Sequence, residues 1–502
     1  MRPLWRSRGA ALWLALFVVM LVMLGAFQLR AGSVSLMRER DRTSERVLAY
    51  AREALLAYAA DHPVNASVGP GYLPCPDLDN DGWAEPTCGS LSGDSGQEQR
   101  LGRLPWKTLG LADLRDGHGE RLWYAVSSKY KGLLNCAASR GCVDMSPAAA
   151  LGTITVRDAS GLVLQDGTVR DAAHAAGGGA VAVVIAPGAP LERTAHGPRA
   201  ALSQRRDCSL AECDPVGRCV TDPPQRAPPC DPANYLDAAG GIEDNADFVD
   251  RNDAAGRPLD GNGFIQGPVV RDGRVVVNDR IAVITYGDLM PRIMRRVALE
   301  VASCLRSYAS RPENRGRYPW TGAACADTSH PVADIAGGTE GRLADTPFVA
   351  SSVHGMLPQW WRTAAKVPEQ WSELPTRDDA CRIAIAPDDA GPARTVAPPA
   401  PHDEGLTPDA TSVSWWNAWK PYVTFAMGTG YTPDTALPGA GCDANGCMDV
   451  VDAQGRTVAA GRSAVVVVHR DAAACAAPMR QCDASGCRVR VGEADAFAAL
   501  PP

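Results

Sequence analysis

From Gly9 to Phe27 the chain reads "GAALWLALFVVMLVMLGAF", nineteen residues without a charge. At ~1.5 Å per helical residue such a run reaches ~28 Å, close to the thickness of a bilayer's hydrocarbon core. Arg2, Arg6 and Arg8 precede it, and no small-residue cleavage site stands near Phe27. A retained single-pass anchor is therefore expected rather than a removed signal. Helical spacing then continues. "LMRERDRTSERVLAYAREALLAYAADHP" holds no Gly or Pro before Pro63, and Val47, Ala51, Ala54, Leu55 and Tyr58 recur on a helical period. One rod from about Ala10 to Ala60, on the order of 75 Å long, is the expectation. A hinge at Gly32-Ser33 between two shorter helices is the alternative.

The sixteen cysteines constrain the rest. Several stand as close pairs: Cys136/Cys142, Cys208/Cys213, Cys442/Cys447 and Cys482/Cys487. None of these is a Cys-x-x-Cys, which argues for disulfides in an oxidising compartment over zinc. Cys75, Cys88, Cys219, Cys230, Cys304 and Cys325 are further disulfide candidates. Arg30, Arg38, Arg40 and Arg42 beyond the apolar run blur the charge rule for orientation, and the cysteines then place the bulk outside the cytoplasm. A net charge of −7 with no Lys/Arg-rich run argues against a nucleic-acid partner. Catalytic signatures are thin as well. "GDSG" at Gly93 has only His62 upstream, and no His-Glu-x-x-His, phosphate-cradling loop or Gly-x-Ser-x-Gly elbow occurs. A non-enzymatic chain is expected.

"GTITVRDASGLVLQDG" from Gly152 returns as "MDVVDAQGRTVAAG" from Met448, with Asp158/Asp452, Ala159/Ala453, Gly161/Gly455 and Gly167/Gly461 matched at one offset. "AREALLAYA" from Ala51 is echoed by "VASCLRSYA" from Val301, and "GYLPCP" from Gly71 by "GRYPWT" from Gly316. "LWYAVSSKY" has its counterpart in "WKPYVTFAMGTGY", and "AVAVVI" at Ala180 in "SAVVVVHR" at Ser463. Helix, Gly-x-x-Pro loop, aromatic strand, cysteine pair, Asp-Ala-x-Gly hairpin and Val-rich strand recur in one order, the mark of an internal duplication. The expected fold class is α+β. A long N-terminal transmembrane helix continues into a head of two tandem related helix-plus-antiparallel-sheet units, stapled by disulfides. The expected segments are a leader-like cytoplasmic stretch (1–8), the transmembrane and amphipathic helix (9–62) and a first head unit (63–204). A Cys/Pro-rich connector (205–280), a second head unit (281–471) and a Cys-containing tail (472–502) complete the chain. The second unit's helix, about Tyr286 to Tyr308, is expected to pack on its own sheet.

This layout resembles type IV pilins and type II secretion pseudopilins. "RGAALWLALFVVMLVMLG" with "RERDRTSERVLAYAREALLAYA" is similar to the N-terminal region of minor pilin-like proteins. "GYLPCPDLDNDGWAEPTC", "GRLPWKTLGL" and "LWYAV" are similar to a prepilin-type head. The resemblance implies Gly9 as the residue before the processing cut and Ala10 as the first mature residue. Five residues after the cut the family usually carries Glu, which is thought to meet the neighbouring subunit's N-terminal amine; here Leu14 stands there. Leu14 marks either a tip or minor subunit, or an anchor never processed. The implied function is structural: a membrane-anchored minor or tip subunit of a type IV pilus or type II secretion-like filament. Its implied partners are the membrane, other pilin-like subunits and inner-membrane assembly machinery. Its implied location is the bacterial inner membrane, single-pass, with the bulk periplasmic or in an extracellular filament. The alternative from another class is a static membrane-anchored periplasmic binding protein for a carbohydrate or a partner protein, calcium-dependent if the acidic loop holds an ion.

That loop, "DLDNDGWAE", sets Asp77, Asp79 and Asp81 at alternate positions, followed by Gly82 and Glu85. Such spacing turns carboxylates toward one hard cation. Cys88 stands where an EF-hand places its bidentate Glu, so a solvated acidic turn is the expectation and a weaker extracellular calcium site, with Asp77, Asp79, Asp81 and Glu85 as ligands, the alternative. No other cofactor is expected. Trp360, Trp361, Trp415, Trp416 and Trp419 offer a sugar- or partner-binding surface. The expectation is nonetheless that half of these rings fill the second unit's core under its sheet.

Overall fold

The structure, a computed structural model, describes residues 7–61, 70–88, 97–127, 151–168, 178–191, 263–310, 422–432, 446–471 and 486–502. Shorter described pieces lie at 130–131, 145, 147, 204, 232–236, 245–248, 316–318, 321, 353–356, 419 and 480–483. Helix α1 (Ser7–Asp61) runs unbroken for 55 residues, through Gly32-Ser33. Its C-terminal third buries Leu48, Ala51, Leu55 and Ala59, a stripe at the helical spacing that keeps one face on a core.

Two expectations are corrected here. Among the described residues no helix is long and apolar enough to cross a membrane. The single-pass inner-membrane placement and the fold class built on a transmembrane helix therefore fall, and among the described residues strands far outnumber helices.

The first unit holds β1 (Leu101–Arg103), β2 (Trp123–Val126), β3 (Val156–Arg157), β4 (Val163–Gln165), β5 (Ala182–Ala186) and β6 (Phe264–Ile265). A hairpin of β7 (Val269–Arg271) and β8 (Arg274–Val277) follows, then β9 (Arg280–Ile284). The main sheet has the order β1-β2-β5-β9, antiparallel throughout. A smaller sheet, β4-β3-β6, pairs β3 antiparallel with β4 and parallel with β6. Strand alternation decides which layer each residue enters. Tyr124, Val126 and Val184 join the core beneath α1. Trp123, Ala125 and Val183 pack on the other side against Ile154, Val156 and Phe264 of the smaller-sheet layer.

The second unit begins with helix α2 (Tyr286–Ser310), one residue beyond β9. Thr285 caps it: its Oγ1 accepts from the Asp288 N–H (3.3 Å) while the Asp288 carboxylate accepts from the Thr285 N–H (2.9 Å). Its strands are β10 (His354–Met356), β11 (Val423–Met427), β12 (Met448–Val451), β13 (Thr457–Arg462) and β14 (Ala464–Val468). Then come β15 (Arg480–Asp483), β16 (Gly486–Arg490) and β17 (Ala496–Leu500). The main sheet is β10-β11-β14-β17, antiparallel, and the smaller one β13-β12-β16-β15, with β12 parallel to β16. The wiring of the first unit is thus built again.

The repetition extends to single hydrogen bonds. Gly71 N–H donates to Ala59 O (2.8 Å) and Gly316 N–H to Ala309 O (2.9 Å). Leu73 N–H reaches Tyr130 O (2.7 Å) as Tyr318 N–H reaches Tyr431 O (2.9 Å). The Asp158 and Asp452 carboxylates each accept two backbone N–H groups of their own turn. Gly161 (φ 87°) and Gly455 (φ 80°) supply the left-handed backbone those turns demand.

The two units share one core. α1 and α2 lie side by side, and a single apolar cluster runs from Leu55 and Tyr124 through Ile293 and Val297 to Phe425 and Val466. Ion pairs lace the helices together: Arg52 to Asp288 (2.7 Å) and Arg292 to Glu53 (2.8 Å). Arg280 on β9 holds Asp41 (2.8 Å) and Glu45 (3.2 Å) of α1.

Candidate functional site

The acidic loop between α1 and β1 is held at both ends. Cys75 and Cys88 form a disulfide (Cα–Cα 5.7 Å), and Asp77 exchanges backbone hydrogen bonds with Arg103 of β1 (3.0 and 2.7 Å). Glu85 N–H returns to Pro76 O (3.3 Å), folding the loop back on itself. Its polar residues are consequently buried, Asp77 to 1% exposure and Asp79 and Asp81 to 5% each.

Inside the loop, ligand atoms of Asp77, Asp79 and Glu85 all lie within 4.8 Å of one another. The Asp77 carboxylate accepts from the N–H groups of Asn80 (2.6 Å) and Gly82 (2.7 Å). Glu85 accepts from Leu78 N–H (3.1 Å). Asp81, whose Oδ1 accepts from Trp83 N–H (2.7 Å), is not in this group, so of the four candidate ligands three converge. Gly82 is required by the geometry. Its φ is +89°, and an added Cβ would stand 2.6 Å from the Trp106 indole nitrogen.

Burial pushes all three converging carboxyls up. Asp77 is raised well above the usual range by desolvation, the N–H of Gly82 opposing and the charges of Asp81 and Asp79 adding to the rise. Asp79 rises to about 6, by desolvation and then the Asp81 charge, and Glu85 to about 7, by desolvation and then the Asp79 charge. Neighbouring cations do not offset this. Arg121 spends its donors on the Asn80 carbonyl (3.0 Å) and side chain (2.8 Å) and on Asp113 (2.9 Å). Arg103 is stacked between Trp123 (4.3 Å) and Tyr235 (4.0 Å) and donates to Arg121 O (2.8 Å); burial lowers its pKa to about 10. Two buried carboxylates and the half-buried Glu85, with no ion pair among the described residues, are served either by protons or by a hard divalent ion, and an all-oxygen set suits calcium over softer metals.

A pH dependence follows with a definite sign. A carboxyl whose pKa is raised on folding favours the folded state when protonated. That contribution is full below about pH 4 and is lost as pH rises through about 6 to 7. In chelator the melting temperature is therefore expected to fall between pH 5 and pH 8 by this cluster's contribution. Were calcium held there, a hundredfold excess over its Kd would add ~2.7 kcal/mol at pH 8, on the order of 3–5 °C for a core spanning both units. Asp77→Asn removes the calcium response. Differential scanning calorimetry measures both, and a melting temperature at pH 8 indifferent to calcium and chelator would overturn the site.

Elsewhere the sites scatter. Leu14 is on the surface of α1 at 69% exposure; Gly9 and Ala10 lie in the same helix, their side-chain surroundings outside the described residues. Trp419 is buried to 1% against Tyr422 and belongs to the core, while Trp360, Trp361, Trp415 and Trp416 fall outside the described residues. Cys482 and Cys487 are joined, and Cys304 and Cys447 are also in disulfides. Cys136, Cys142, Cys208, Cys213, Cys219, Cys230, Cys325 and Cys442 lie outside the described residues. The Arg103 stack had no signal in the sequence, since its two aromatic walls come from positions 123 and 235. No protein-family model, curated protein or solved structure matches this chain.

Proposed function

We propose that this chain is a non-enzymatic assembly subunit that joins a filament of the type IV pilus or type II secretion kind, as a minor or tip component. The observation that carries the reading is α1 itself. Its C-terminal third is locked into the head, while Trp13 (75% exposed), Phe17 (62%) and Met20 (64%) stand bare on its N-terminal part. A contiguous apolar surface of this kind needs a partner. Helices of neighbouring subunits, presenting similar apolar stripes, fit it, and the doubled head would then sit at a filament end or among rarer subunits. The acidic loop serves this reading as a calcium-stabilised part of the head. Sedimentation of the full-length chain tests it: concentration-dependent association through α1 is expected, and a monomer across the whole concentration range would sink the proposal.

A further inference from the structure

Among the described residues β17 is an edge strand, paired with β14 on one side only, and α2 packs alongside it. Between them lies a groove of about 540 Å³. One stripe of α2, with Arg295, Leu299, Ala302 and Arg306, forms one wall, and Phe497 and Ala499 contribute from β17. Leu299 is 46% exposed and both arginines are on the surface. Among the described residues neither arginine forms an ion pair; Arg306 makes one long hydrogen bond, to Ala302 O at 3.4 Å. Asp495 at the groove's end has its carboxylate engaged by His469 (3.3 Å) and by Gly492 N–H (3.0 Å).

The first unit shows what the same place looks like when filled. There Arg52 of α1 lies over β9, and its Nε donates to Val283 O (2.9 Å), an edge carbonyl. The two units share one register: Ala182 pairs with Ile284 as Ala464 pairs with Leu500. Val181 N–H reaches Ile284 O (2.8 Å) as Ser463 N–H reaches Leu500 O (3.0 Å). The carbonyl equivalent to that of Val283 is therefore that of Ala499. The sequence match that sets Ala51 on Val301 and Leu55 on Leu305 sets Arg52 on Ala302. Where one copy plugs its edge with a guanidinium, the other carries a methyl group and leaves a groove.

We propose that this groove binds an extended acidic peptide segment of a partner protein, added as a fifth strand along β17. Backbone groups on the open edge supply the ladder, and Leu299 and Phe497 the apolar contact. Arg295 and Arg306 are eleven residues apart on the helix, about 16 Å, which lies between the four- and six-residue spacings, about 13 and 20 Å, at which strand side chains share a face. The segment is thus a short β-forming stretch with a carboxylate at each end. No residue of the exposed part of α1 enters, so the inference stands independently of the assembly reading.

The probe is the fluorescently labelled, capped heptapeptide Asp-Val-Thr-Val-Thr-Val-Asp, whose two carboxylates share one face of the strand, titrated with the full-length protein and followed by anisotropy. Saturable binding is expected, with the Lys-for-Asp peptide about tenfold weaker or worse. Ala302→Arg, which installs the first unit's plug, should weaken the acidic peptide about tenfold. Arg295→Glu with Arg306→Glu should invert the charge preference, and decides the matter should Ala302→Arg fail to fold. No binding of the acidic peptide at millimolar concentration, equal binding of the two peptides, or an unchanged preference in the charge-reversed protein would each overturn the proposal.

Discussion

Leu55→Ala and Leu305→Ala are each expected to lower stability by about 2–5 kcal/mol, the cost of removing a buried leucine and leaving a cavity behind. These residues hold equivalent places on α1 and α2, at 0% and 1% exposure. The consequence that matters is cooperative. Both leucines belong to one apolar cluster that crosses from the first sheet to the second. Either substitution should therefore shift a single unfolding transition and leave no second unit melting at its original temperature. Near-ultraviolet circular dichroism and calorimetry on each variant measure this. Two separate transitions, only one of them displaced by Leu305→Ala, would show that the units fold apart and that the shared core contributes little.

Phe17→Glu with Leu21→Glu is expected to weaken self-association or filament entry by about 10²–10⁴-fold. Both side chains are more than half exposed in the lone chain, at 62% and 53%, and they fall on one helical stripe with Trp13 and Met20. Burying each against a neighbouring helix is worth ~1.5–3 kcal/mol, and a carboxylate in the same place adds a desolvation cost. The head packs none of these residues, so its melting temperature should stay within a degree or two of the parent's. That pairing of outcomes separates a lost interface from a lost fold. Unchanged sedimentation of the double variant at all concentrations would remove the apolar stripe from the assembly reading.

The features that depend on a few neighbouring residues were legible. The Asp158 and Asp452 turns use a carboxylate and a glycine three residues apart, and both are visible in one line of sequence. The stripe Leu48, Ala51, Leu55 and Ala59 is likewise local, because helix geometry alone puts those residues on one side. The acidic loop was legible in part. Alternating aspartates pointed to Asp77 and Asp79, but whether Asp81 or Glu85 completes the set depends on the Cys75–Cys88 closure and the Glu85–Pro76 hydrogen bond. Hydropathy misled at the N-terminus. The uncharged run from Gly9 to Phe27 suggested a span, and among the described residues no helix is long and apolar enough to cross a membrane.

By itself the sequence determined that the chain makes a related unit twice, that α1 is a long helix, and where the tightest turns and the candidate carboxylates fall, with Asp81 named among them although it does not converge. Each follows from spacing within a short window. Only the tertiary structure decided that the two units fuse into one core, that Arg103 is clasped by Trp123 of the paired strand β2 and Tyr235 of the 232–236 turn, and that, among the described residues, one copy's sheet edge is plugged while the other's stands open. Those outcomes rest on contacts between residues far apart in the chain. The energy of such a contact depends on which surfaces are removed from water together, and no local pattern records that choice.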